Sequence, residues 1–282
     1  MHTSLLIDSL IKNPKKHACD GVFYKELEKN LSEILKVSNF NNGKSGKDSL
    51  LPFGDLNFPY REMGAINTLH LFGLDEMIIF SYYWANKSRY KKVADLGANI
   101  GLHSIIMDRC GYSINSYEPD PKHINIFNEN IKNNNCSNIT INQKAISDKS
   151  GTTDFIRVLG NTTGSHLAGA KENPYGDLET FSVETVNINE VLLNNDFVKM
   201  DIEGQEATAI LSTNSDTWLN VEMILEVGTS KNASLIFDFL KQINVNMFSQ
   251  KTGWNKVKVL SEMPTSYKEG SLFLSKADSM QW

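Results

Sequence analysis

Three clusters of residues in this chain have the types and spacing for chemistry. The first is VADLGANIGLHS, residues 93–104. An apolar strand ends in Asp95, and Gly97 and Gly101 bracket a short turn with Asn99 between them. A helix then starts, with Leu102, Ile105 and Ile106 on its buried side. Glycines let a backbone turn tightly and let a ligand approach it closely. The helix start adds free N–H groups and the positive end of the dipole. The second cluster is SINSYEPDP, residues 113–121, whose strand ends in Glu118. A carboxylate at the tip of the second strand accepts two hydroxyl hydrogen bonds at once, the arrangement that holds a ribose in nucleotide-binding α/β folds. Pro119 and Pro121 stop the strand and restart a helix. The third is FVKMDIEGQE, residues 197–206. Glu206 reads as an ordinary helix-start acid. Asp201 closes an apolar strand, at the sheet edge where open α/β folds bind ligands.

Two cofactor classes share this layout. Dinucleotide folds use G-x-G-x-x-G, whose middle glycine makes room for the pyrophosphate. Here the run is D-L-G-A-N-I-G, with Asn99 at the middle position. Asp95 sits two residues before the first glycine, where a carboxylate suits a cationic ligand. S-adenosylmethionine carries both an ammonium and a sulfonium.

The elements that must position these residues are legible around them. From residue 91, apolar runs at 93–96, 113–118, 138–143, 197–202 and 221–227 alternate with helical stretches near 101–109, 121–134, 204–211 and 230–241. Such alternation predicts a parallel sheet with helices on both faces. The runs 245–249, 256–260 and 271–275 have no helix between them and read as an antiparallel closing portion. Upstream, Phe23, Leu27, Leu31, Ile34 and Leu35 recur at helical spacing. Residues 38–49 read as a polar linker, 50–64 as a short hairpin or irregular cap, and 65–86 as a helix leading into the core.

Composition narrows the class further. The chain has 282 residues with 40% hydrophobic and 22% charged side chains, which excludes a disordered chain. Net charge is -5, and no part of the chain carries the basic excess a duplex-binding domain needs. Cys19, Cys110 and Cys136 form no CxxC pair, which points to a reducing compartment and a cytoplasmic protein. No secretion signal and no membrane span are expected.

Taken together, DLGANIGLHS, YEPDP, QKAISDKSG (residues 143–151) and KMDIEGQE resemble the FkbM family of S-adenosylmethionine-dependent methyltransferases. The resemblance covers residues 75–275, with 1–65 outside it. It implies an α/β fold with a class I methyltransferase (Rossmann-like) sheet of seven strands, the last antiparallel. A mostly helical N-terminal extension, 1–64, would precede a methyltransferase domain, 65–282. Asp95, Gly97, Asn99 and Gly101 would cradle the methionine part of the cofactor and Glu118 its ribose hydroxyls. Ala145 and Ile146 would line the adenine, and Asp201 would face the methyl-transfer centre. The family acts mostly on hydroxyls of sugars and polyketides.

An alcohol is barely ionised at neutral pH, so O-methyl transfer asks for a base. The candidates are Asp201, Glu203, Glu226 at the end of the VEMILE strand, His166 in the small polar loop 159–175, and His103 in the first turn of the cofactor helix. Asn161 and Ser165 stand with His166 on the acceptor side. Asp201, Glu203 and Glu226 together have the hard oxygen ligands for Mg²⁺. His2, His17, His70 and His123 show no metal spacing. Two other readings remain open: an NAD-dependent oxidoreductase, and a non-catalytic cofactor-binding module in which residues 1–64 mediate assembly, for instance as a homodimer.

Overall fold

The structure is a computed structural model and describes residues 3–170 and 176–282. The part of the expected acceptor loop at 171–175 lies outside the described residues.

Helices α1 (Thr3–Lys12) and α2 (Val22–Val37) come first, then the hairpin β1 (Lys47–Ser49) and β2 (Asp55–Asn57), and helix α3 (Leu74–Ala85). The nucleotide-type half follows: β3 (Lys92–Leu96), α4 (Leu102–Arg109), β4 (Ser113–Tyr117), α5 (Pro121–Asn133) and β5 (Ile139–Asn142). Next come β6 (Ala145–Ser147), β7 (Gly151–Val158), β8 (His166–Leu167), β9 (Leu178–Asn187) and α6 (Ile188–Leu192). The chain ends with β10 (Phe197–Met200), α7 (Glu206–Leu211), β11 (Glu222–Leu225), α8 (Ser230–Gln242), β12 (Asn246–Ser249), β13 (Asn255–Lys256) and β14 (Leu272–Ser275).

The main sheet has the order β13-β12-β14-β11-β10-β3-β4-β5. Strands β5, β4, β3, β10 and β11 run parallel, and β14 is antiparallel to both β11 and β12. From β3 the chain builds outward to β4 and β5, then returns to the other side as β10 and β11. The order therefore reverses between β3 and β10, and the crevice at their carboxyl ends is where such sheets take ligands. The sheet has eight strands rather than seven, because the two-residue β13 adds itself to the β12 edge.

Strand periodicity sorts the core into two faces. Val93, Phe197, Ile224 and Phe273 point to one core, and Ala94, Val198, Met223 and Leu274 to the other. The first core also takes Leu6, Ile7 and Leu10 of α1 and Tyr24, Leu27 and Leu31 of α2. The apolar stripe of the N-terminal helices is thus packed inside the chain's own core.

A second sheet, β6-β9-β7-β8, stands apart from the first. It corrects the expectation of a loop over 159–175: His166 and Leu167 form β8 and pair with β7. Among the described residues no helix is long and apolar enough to cross a membrane.

Candidate active site

The loop after β3 is built from left-handed backbone. Gly97, Asn99 and Gly101 have φ of 76°, 51° and 90°. Glycine adopts this region without steric cost and asparagine tolerates it. The two glycines also leave room for the protein itself. A Cβ on Gly97 would stand 1.7 Å from the Asp201 carbonyl oxygen, and one on Gly101 would stand 2.0 Å from the Phe127 ring. Their missing side chains therefore admit a strand end and a helix of the same chain, where close approach of a ligand was expected. The amides of Gly97 and Ala98 both donate to the Tyr117 carbonyl at 3.0 Å, which ties the loop to the end of β4.

Glu118 caps that same end. Its Oε2 accepts from the Asn99 amide and its Oε1 from the Asp120 amide, both at 2.9 Å. The carboxylate is buried; Oε2 keeps a lone pair for a further donor, and His123 Nδ1 lies 3.5 Å from Oε1. Asp120 is the N-cap of α5 and is gripped by the Arg157 guanidinium, whose Nε reaches Oδ2 at 2.7 Å. Burial pushes the Asp120 carboxyl up, and Arg157, His123 and the Lys122 amide together more than reverse it, so it stays below its usual range.

One register row across the sheet carries Ser116 on β4, Asp95 on β3 and Lys199 on β10. Asp95 is fully buried there. Its Oδ2 accepts from the Ser104 hydroxyl at 2.6 Å, and its Oδ1 lies 3.8 Å from the Lys199 ammonium. Lys199 Nζ is also 3.7 Å from Asp201 Oδ2. Burial lowers the Lys199 pKa, but Asp201, Asp95, Glu76 and Glu226 outweigh it and hold the ammonium charged.

Above Lys199 a narrow cleft opens at the ends of β10 and β11, lined by Glu76, Lys199, Asp201, Glu226, Tyr267 and Ser271. Glu226 is pushed up to about 9, first by burial and then by the negative charge of Asp201, Glu76, Glu203 and Glu206. It is therefore a neutral acid at pH 7, beside the half-exposed Asp201. Glu76 hydrogen-bonds His103 Nε2 at 2.8 Å, and His103 Nδ1 meets the Tyr83 hydroxyl at 2.9 Å. Burial works against the Glu76 charge, and His103 and Lys199 overcome it, so Glu76 lies below its usual range.

The remaining candidates surround this cleft at different distances. Glu203 sits in the turn past Asp201 with φ of 54°. Glu206 folds back on that turn, its Oε1 accepting from the amides of Ile202 at 3.2 Å and Gly204 at 3.1 Å. The Ala170 carbonyl lies 3.3 Å from where a Gly204 Cβ would be, so the segment after β8 packs on the same turn. His166 is buried on β8, with Nδ1 3.0 Å from the Gly164 carbonyl, and is not a lining residue of the cleft. Asn161 accepts from the Ala65 amide at 3.0 Å, which fastens the loop to the N-terminal segment. Ala145 and Ile146 are buried on β6 beside β9. Among the described residues, no group of three or more His, Cys, Asp or Glu is arranged to hold a metal ion, so the Mg²⁺ reading has no support here.

Sequence reasoning missed Glu76 and Lys199. Lys199 had a signal: it is the lone charge inside the buried strand FVKM, and lysine is almost never buried unpaired. Glu76 had none, since an acid in a first helical turn is ordinary.

A reversed α/β sheet, a glycine loop after its first strand and an acid at the tip of its second define a class of enzymes that bind a nucleoside-containing cofactor. Within that class, the family description "Methyltransferase FkbM domain" matches residues 95–250, more than half of the chain, and the chain belongs to that family. No curated protein matches it. Solved structures similar to it include a precorrin-6y C5,15-methyltransferase from Geobacter metallireducens GS-15, at 13% identity over 70% of this chain and 84% of that one, with a TM-score of 0.37. Another is a ribosomal protein L11 methylase from Lactobacillus delbrueckii subsp. bulgaricus, at 12% identity over 69% and 76%, again with a TM-score of 0.37. Likeness of this size carries no argument about acceptor or mechanism.

The family implies S-adenosylmethionine, and the residues present fit it. Asn99 Oδ1 and Asp95 Oδ1 are buried acceptors without a hydrogen-bond partner, and His123 Nε2 beside Glu118 is likewise unpartnered. Buried polar atoms are rarely left so, and a polyhydroxylated, cationic ligand supplies partners for them.

Proposed function

We propose that this chain is an S-adenosylmethionine-dependent O-methyltransferase acting on a hydroxyl of a sugar, a glycan or a related small molecule, as a cytoplasmic enzyme. The observation that carries the reading is the contact between the cofactor loop and the acid cleft: Gly97 touches the backbone of Asp201, so a candidate base stands directly beside the methionine end of the cofactor site.

S-adenosylmethionine supplies an activated methyl group when bound. The protein's own task is to align the acceptor and take its proton. Asp201 accepts the hydroxyl proton, and Lys199 at 3.7 Å holds that carboxylate in place. Glu226, protonated at neutral pH, donates a hydrogen bond to a neighbouring acceptor oxygen and so fixes which hydroxyl faces Asp201. Glu76, with His103 behind it, presents a further acceptor to a polyol. A cleft walled by carboxyl groups and the exposed Tyr267 ring suits a small ligand with several hydroxyls. Gly97, Asn99, Gly101 and Glu118, with Ala145 and Ile146 beyond them, are the proposed cofactor-side residues.

Calorimetry with S-adenosylhomocysteine is expected to show binding by the wild type. Transfer of labelled methyl from S-adenosylmethionine to a panel of mono- and oligosaccharides should then give product. Asp201→Ala is expected to keep cofactor binding and lose about 10²- to 10⁴-fold in turnover, the usual worth of a general base. A folded wild type that does not bind S-adenosylhomocysteine sinks the reading, and full turnover by Asp201→Ala removes Asp201 from it.

A further inference from the structure

We propose that His123 is a cofactor-binding residue of this chain, placing its Nε2 on one of the two ribose hydroxyls that Glu118 also faces. The inference rests on the S-adenosylmethionine reading of the site.

His123 lies in the first turn of α5, two residues after Pro121. It is only 6% exposed. Its Nδ1 is 3.5 Å from Glu118 Oε1, so the ring is fastened to the carboxylate at the tip of β4. Its Nε2 is buried with no hydrogen-bond partner. Leaving one polar atom of a buried imidazole unsatisfied costs about 1–3 kcal/mol. An unsatisfied atom on a ring whose other nitrogen faces the carboxylate at the tip of β4 calls for a ligand group rather than a packing explanation.

The chemistry of that group follows from the ring. The charged groups facing His123 are Glu118, Asp120 and Arg157, from the end of β4, the α5 cap and β7. Burial and Arg157 lower the His123 pKa, and Glu118 and Asp120 outweigh them and raise it. As an imidazolium the Nε2 donates, and as the neutral ring with its proton on Nδ1 it accepts. A hydroxyl satisfies both forms, because it donates and accepts; a carboxylate or an ammonium satisfies only one. Glu118 already spends one lone pair of each oxygen on the Asn99 and Asp120 amides. A second neighbour on the same hydroxyl pair would make up the contact that those bonds remove.

Affinity for S-adenosylhomocysteine, and for its analogue lacking both ribose hydroxyls, tests this without any acceptor. His123→Phe keeps a flat ring and removes both nitrogens. It is expected to bind S-adenosylhomocysteine about tenfold more weakly than the wild type. It should bind the analogue as well as the wild type does. His123→Gln, whose amide both donates and accepts, is expected to recover most of the loss, and it serves as the variant of record if the phenylalanine destabilises the fold. Equal weakening for both ligands would overturn the proposal, as would no weakening for either. If the folded wild type binds neither ligand, the cofactor reading itself has failed, which is a different outcome from a wild type that binds while His123 proves indifferent.

Discussion

Asp201 and Glu226 are two carboxyl groups of the same cleft with very different surroundings. Asp201 is 41% exposed at its side chain and faces the Lys199 ammonium at 3.7 Å. Glu226 is deeper, and it is acted on by burial and by the field of four other acids. In the cofactor-free protein its pKa rises from 4.5 to about 9. Between those values the folded chain holds a proton that the unfolded chain has released, so stability falls as pH rises. At pH 7 the penalty is about 3 kcal/mol, taking about 1.4 kcal/mol per pKa unit. Glu226→Gln imitates the protonated acid, and it is expected to be more stable than the wild type at pH 8 and equally stable near pH 4. Denaturant melts across that range check this, and parallel stability curves for the two proteins would refute the assignment. The same variant should keep much of its turnover, because the amide still donates a hydrogen bond, whereas Asp201→Asn should not.

At the scale of elements, the glycines of the cofactor loop bind the two halves of the crevice together. Gly101 meets Phe127 of α5, and Gly97 meets the end of β10. Gly101→Ala puts a side chain at φ of 90° and drives its Cβ to 2.0 Å from the phenylalanine ring. A loss of about 2–4 kcal/mol is expected from backbone strain and overpacking together. Phe127→Leu in the same chain should return part of it, so the two substitutions are expected to be clearly non-additive in a double-mutant cycle. Strict additivity would mean that the ring is not what the glycine accommodates. This loop was readable in the sequence because a strand, two glycines and a second strand-end acid each leave a local mark. The central parallel strands β3, β10 and β11 were readable as well, because they are buried on both faces. The second sheet left no such mark. Strand β7 reads GTTDFIRV and β9 reads LETFSVETVN, with most of the first half of each exposed. Such strands carry little apolar periodicity, and β8 is two residues long. His123 was passed over because a lone histidine without metal spacing carries no signal until its neighbours are known.

Across the whole molecule, the N-terminal helices are held to the catalytic sheet by buried polar contacts as well as by their apolar faces. Gln250, at the end of β12, donates to Asp75 Oδ1 at 2.6 Å and to the His17 carbonyl at 3.3 Å, and its own Oε1 accepts from the Ser271 amide. Asp75 also accepts from the Tyr24 hydroxyl at 2.9 Å, one residue before the cleft acid Glu76. His17 sits at the centre of this seam. It is fully buried, accepts from the Trp254 indole N–H at 3.0 Å on Nδ1, and meets the Leu10 carbonyl at 3.1 Å on Nε2. The two bonds fix the neutral tautomer with its proton on Nε2. Burial lowers its pKa from 6.5 to about 4. Between those values the unfolded chain binds a proton that the folded chain refuses, so stability is lost as pH falls through this window. The full loss is about 3 kcal/mol, again at about 1.4 kcal/mol per unit. This slope opposes that of Glu226, which gains over the upper part of the same acidic range. His17→Gln can keep both hydrogen bonds but cannot titrate. The variant should therefore hold its stability from pH 6.5 down to pH 4 better than the wild type, with little difference above pH 7. Amide hydrogen exchange in α1 and α2 should report the difference first, because the seam opens where the proton enters. If acid loosens those helices equally in both proteins, His17 is not the group that couples the N-terminal segment to the sheet.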